Sequence, residues 1–137
     1  MLIVSILDDD ANRLIQRAES AWGKGAEAVE LRIDALAAGI DYIRQYVARS
    51  PERLFIVTCR SRSEGGRFAG TAKQLSERFT PFAFLDNVMI DAEFSSIDTV
   101  RQVEVAAAQE ARAPLERPEG VTPERCARLQ EALGTFA

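Results

Sequence analysis

Two stretches of this chain hold residues whose types and spacing could do chemistry. Val29–Asp34 (VELRID) sets Glu30, Arg32 and Asp34 at alternate positions, and Leu54–Gly70 (LFIVTCRSRSEGGRFAG) runs from an apolar segment into Arg60, Arg62, Glu64 and the pair Gly65 and Gly66. A later apolar run ends in Asp91 and Glu93. Guanidinium forks suit bidentate binding of a carboxylate or neighbouring hydroxyls, and carboxylates can accept from hydroxyls or move protons. Two absences narrow the chemistry. There is no histidine, the commonest metal ligand and general base, and lysine occurs only as Lys24 and Lys73, so any lysine nucleophile must be one of these.

These residues need elements that aim them together. Leu2–Leu7, Ala28–Ile33, Leu54–Cys59 and Asn87–Ala92 read as short buried strands, and the segments between them carry helical apolar spacing: Leu14, Ile15, Ala18 and Ala21 or Trp22; Ile40, Ile43, Tyr46 and Val47; Leu75 and Phe79. Asp8–Asp10 offers an N-cap and a negative first turn, Gly23 and Gly25 a stop, Ser50–Pro51 another, and Thr71 with Gln74 a capping box. Strands beginning near residues 2, 28, 54 and 88 alternate with helices, as parallel βα units do. Strand alternation then puts Glu30, Arg32 and Asp34 on one face, with Thr58 and Arg60, and Asp91 and Glu93, joining them at the C-terminal strand ends where such folds bind ligands. Structural ion pairs are the competing reading of these charges, and a plain turn that of the glycine pair.

A closed (β/α)₈ barrel takes about 250 residues, so 137 residues suffice for half of one. After Glu93 the pattern changes. Ser95–Asp98 is a capping-box match opening a helix to about Glu110, residues 113–120 read as a proline-bearing linker, and Thr122 and Pro123 start a last helix with Cys126, Leu129 and Leu133 on one side. The expected division is therefore residues 1–97 as the β/α part and 98–137 as a helical tail. A formal charge of −4 with scattered arginines gives no footprint for nucleic acid or anionic membrane. No apolar run reaches the roughly 20 residues that span a bilayer, and the N-terminus lacks a signal-peptide pattern, so the cytoplasm is expected. Cys59 and Cys126 have no metal or disulfide spacing and read as reduced thiols.

VELRIDAL followed by IVTCRSRSEGGRFAG, with the later acidic strand MIDAEFSS, resembles type I 3-dehydroquinate dehydratase of the shikimate pathway over roughly residues 1–97. The resemblance implies a (β/α)₈ barrel that converts 3-dehydroquinate to 3-dehydroshikimate without metal or diffusible cofactor. By position it makes Ser5, Glu30, Arg32 and Arg60 substrate-binding residues and Glu64 the carboxylate that orients a catalytic histidine. The family's Schiff-base lysine and its histidine both belong to the second half of the barrel, which this sequence does not contain. The resemblance thus implies a partial or degenerate copy, inactive alone, whose partner is a small molecule. Unpaired strand edges predict a homodimer, covering by the tail or a poorly ordered end. The alternative is a non-catalytic binding or assembly module.

Overall fold

The structure, a computed structural model, describes residues 1–112. The expected last helix at Thr122 and the linker at 113–120 lie outside the described residues. The elements run β1 (Ile3–Leu7), α1 (Ala11–Gly23), β2 (Ala28–Arg32), α2 (Ile40–Ala48), β3 (Leu54–Thr58), α3 (Ala72–Phe79), β4 (Val88–Asp91) and α4 (Ile97–Arg112). Each strand sits where its apolar run does, trimmed by a residue or so at the ends. The strands form one parallel sheet in the order β1-β2-β3-β4, with Ser5 opposite Glu30, Arg32 opposite Thr58, and Thr58 opposite Asp91.

Consecutive parallel strands joined by right-handed crossovers place every helix on the same side of the sheet. The burial pattern follows. Val29, Leu31, Phe55, Val57, Val88 and Ile90 are buried with Leu14, Ala18, Ile43, Val47, Leu75 and Phe79 in one core. Phe55, fully buried, packs in T-shaped contacts with Trp22 and Tyr46 at 5.5 and 5.6 Å between ring centroids. The opposite face of the sheet is open: Ile3 and Met89, one on each outer strand, are 47% and 50% exposed.

Local chemistry ends the helices. Asp10 is the N-cap of α1, its carboxylate accepting the Arg13 amide at 2.9 Å, but no acidic residue lies in the first turn as expected. The helix starts at Ala11, so Asp8 and Asp9 fall before it and pair instead with Arg13, Asp8 also meeting Arg17. Thr71 and Gln74 form the full reciprocal capping box of α3. The expected capping box of Ser95 and Asp98 does not start α4: Ser95 lies inside a 3-10 turn, Phe94–Ser96, in which the Ser96 hydroxyl donates to the Glu93 carbonyl, and the helix begins at Ile97. Val100, Val103 and Ala107 then bury into the same core as the strands.

Asn87 closes the N-terminal end of the sheet. Its side-chain amide donates to the carbonyls of Val47 at 3.1 Å, Ser50 at 2.9 Å and Arg53 at 3.1 Å, satisfying the end of α2 and the turn that leads into β3.

Candidate functional site

The open face gathers its charges at the C-terminal strand ends. Val29, Leu31 and Ile33 are buried on the helix side, so alternation turns Glu30 and Arg32 outward, half-buried, and Asp34 follows at the strand end. On β3 the buried Val57 and Cys59 leave Thr58 and Arg60 for the open face. Asp91 arrives from β4.

Three strands are thereby joined. The Thr58 hydroxyl, 1% exposed, donates to Glu30 Oε1 at 2.7 Å and lies 3.5 Å from Asp91 Oδ2. Arg60 Nη2 donates to that same Asp91 oxygen, so Glu30, Thr58, Asp91 and Arg60 form a continuous chain of polar contacts across β2, β3 and β4. Arg32 is held separately. Its Nε and Nη2 donate to the two oxygens of Asp34, both at 2.9 Å, a fork on a fork.

That pair has a definite electrostatic state. The hydrogen bond and charge of Asp34 raise the Arg32 guanidinium further above its ordinary range. Burial by itself would push Asp34 upward, but the hydrogen bonds from Arg32 and from the Arg67 amide outweigh it and hold the carboxyl below its usual value. Behind the sheet, burial drives the Cys59 thiol up to about 12, which keeps it neutral and unreactive as a nucleophile.

The loop after β3 folds back on Arg60. The Phe68 amide donates to the Arg60 carbonyl at 3.0 Å, the Gly66 amide to the Ser61 carbonyl at 2.7 Å, and the Arg62 amide to the Phe68 carbonyl at 2.9 Å. Gly65 turns the chain with φ 82°, a left-handed conformation that favours glycine. Glu93, 8% exposed, pins the start of the loop by accepting from the Ser61 amide at 2.6 Å and the Ser61 hydroxyl at 2.9 Å.

Of the residues singled out in the sequence, Glu30, Arg32 and Arg60 are brought together on the open face. Ser5 is exposed on the outer strand, directly opposite Glu30 in the pairing. Glu64 stands apart, exposed in the 3-10 turn Arg62–Glu64, its carboxylate taking no hydrogen bond or ion pair from the described residues. Lys24 caps the end of α1 and Lys73 is in the first turn of α3, both exposed in the helical layer. Thr58 and Asp34 carry more of the geometry than their local sequence signals. Strand alternation places Thr58 on the face of Arg60, but not its hydroxyl between Glu30 and Asp91.

Clefts of about 340 Å³, beside Asp34, Arg67 and Arg78, and about 230 Å³, beside Ser61, Glu93 and Thr99, lie next to the loops, and neither is lined by Glu30, Arg32 or Arg60. No group of three or more potential ligands among the described residues could hold a metal ion, and no helix among them is long and apolar enough to cross a membrane.

The sequence profile of type I 3-dehydroquinase matches residues 2–113, continuing through α4 beyond the residue-97 limit that the motifs had implied. No curated protein sequence matches the chain. Among solved structures, the chain is similar to the 3-dehydroquinate dehydratase from Aquifex aeolicus VF5, with 28% identity and a TM-score of 0.58. That similarity covers 80% of this chain but 48% of the Aquifex chain, so the sequence spans about half the length of that relative. With a profile match over most of its length and four parallel βα units of the same fold, the chain belongs to the type I 3-dehydroquinase family.

Proposed function

We propose that this chain supplies the substrate-binding half of a type I 3-dehydroquinate dehydratase site. The observation that carries the reading is the convergence of Glu30, Arg32 and Arg60 at the C-terminal ends of neighbouring parallel strands, where this architecture binds ligands. Arg32 and Arg60 present guanidinium donors to the single carboxylate and to oxygens of 3-dehydroquinate, while Glu30, and Ser5 on the outer strand, take part in hydrogen bonds with its hydroxyls. Carboxylates outnumber guanidiniums here, Asp34 and Asp91 already holding one arginine each. That balance disfavours a polyanion, and the acceptors it leaves suit a ligand with several hydroxyls.

In the family's chemistry, a lysine forms a Schiff base with the substrate ketone and the resulting iminium withdraws electrons. A histidine then removes the adjacent proton and assists the departure of water. This sequence has no histidine, and neither Lys24 nor Lys73 belongs to the open face. Glu64, exposed on its turn, is positioned by its place in the motif to orient a histidine that another part of a barrel would bring. The chain alone therefore binds without turning over, and the cytoplasm, where a biosynthetic enzyme meets its substrate, is its proposed compartment.

The test is a dehydration assay of the 137-residue chain with 3-dehydroquinate, followed by the ultraviolet absorbance of the conjugated enone. No increase above the uncatalysed rate is expected. Turnover that disappears in Arg60→Ala would overturn the claim that the catalyst is missing. A second reading, an assembly module acting as a homodimer, is favoured by exposed Ile3 and Met89 on the two outer strands, and sedimentation of the chain to a dimer would support it.

A further inference from the structure

Asp34 stands where two separate parts of the open face meet. Its side chain is fully buried, although it is a carboxylate at a strand end. Burying such a charge is costly unless N–H donors replace water. Here they come from two sources: Nε and Nη2 of Arg32 two residues away, and the backbone amide of Arg67, 33 residues along the chain, at 3.0 Å. A strand-end ion pair serving stability alone requires only the first of these. The second ties the carboxylate to the loop that follows β3, just after Gly65 and Gly66.

The consequences for both groups are geometric. By occupying one edge of the Arg32 guanidinium, Asp34 fixes the plane of the fork and leaves its remaining N–H groups, which have no partner among the described residues, for a ligand. By accepting from Arg67, it holds the Ser61–Phe68 loop, whose start is held by Glu93 and which carries Glu64. We propose that Asp34 is a positioning residue that sets the Arg32 guanidinium and the Glu64-bearing loop together, so that ligand capture at Arg32 and the conformation of that loop are coupled through one carboxylate. The proposal rests on the substrate-binding reading above and adds to it a residue that touches no ligand.

A double-mutant cycle with two readouts tests it on the full 137-residue chain. Calorimetric titration with 3-dehydroquinate is run on the wild type, Asp34→Asn, Arg32→Ala and the double variant. Asp34→Asn is expected to weaken binding roughly tenfold, the scale of a lost charged hydrogen bond, and to have no further effect once Arg32 is gone. Trypsin cleavage after Arg62 and Arg67 is followed in the same proteins. Cleavage is expected to be faster in Asp34→Asn with or without Arg32, because the contact with the Arg67 amide does not pass through the guanidinium. Asp34→Glu, which keeps the charge on a longer stem, should regain part of both, and it replaces Asp34→Asn in the cycle if that variant loses its cooperative melt. Equal weakening of binding by Asp34→Asn in both backgrounds, or unchanged cleavage, would overturn the proposal. A wild type that gives no heat with 3-dehydroquinate would instead refute the functional reading, and the cleavage comparison alone then decides for or against the clamp on the loop.

Discussion

A methyl group added at Gly66 would lie 2.1 Å from the Arg60 carbonyl oxygen, closer than any side-chain carbon can sit. The close approach exists because the loop folds back along the residue whose guanidinium meets Asp91. Gly66→Ala must therefore push the loop off Arg60. It is expected to destabilise the chain by roughly 1–3 kcal/mol in urea titrations and to weaken ligand binding as well. Unaltered stability and affinity would show that the loop moves freely. Asp34 adds a pH signature. Its carboxyl is held below the ordinary value of 3.8, so the folded state binds its proton less readily than the unfolded chain does. The stability this contributes is fully present above that value and is lost as pH falls through the lower folded-state value. Asp34→Asn should accordingly flatten the acid limb of the melting-temperature profile below about pH 4 while leaving the slope near neutrality unchanged.

At the scale of elements, the strands were legible because each is a short apolar run bounded by turn residues, and because alternation along VELRID and LFIVTCR fixes which side chains face the helices. The capping box of Thr71 and Gln74 was legible for the same reason: it is written within four residues. What local pattern could not reveal are contacts that join distant segments through backbone groups. The three carbonyls gathered by Asn87, the Arg67 amide on Asp34 and the Ser61 amide on Glu93 each link positions more than 30 residues apart and leave no periodic trace. Asp8–Asp10 shows the complementary limit. Its composition announces a helix start, but whether the charges enter the first turn depends on a single residue of register, and arginines one turn along drew Asp8 and Asp9 outside. Phe55 is fully buried and contacts Trp22 from α1 and Tyr46 from α2. Phe55→Ala should cost about 3–5 kcal/mol of unfolding free energy, measured by urea denaturation, from the lost burial and the cavity left behind.

For the whole molecule, four parallel strands in sequential order, helices on one side and charges at the C-terminal strand ends of the other give a candidate site that is open to solvent. The chain matches 48% of its Aquifex relative, and the open face is the side on which a complete barrel of this kind would close. On the proposed reading, such a site would hold its ligand through a few charged hydrogen bonds rather than by burial, so affinity should be modest and should depend on the two arginines. The most direct measurement is calorimetric titration of the 137-residue chain with 3-dehydroquinate, alongside Arg32→Ala and Arg60→Ala variants shown by their melts to be folded. Saturable binding to the wild type is expected, at one ligand per chain, weakening roughly tenfold or more in each variant. No binding by the wild type, or binding that is indifferent to both arginines, would contradict it.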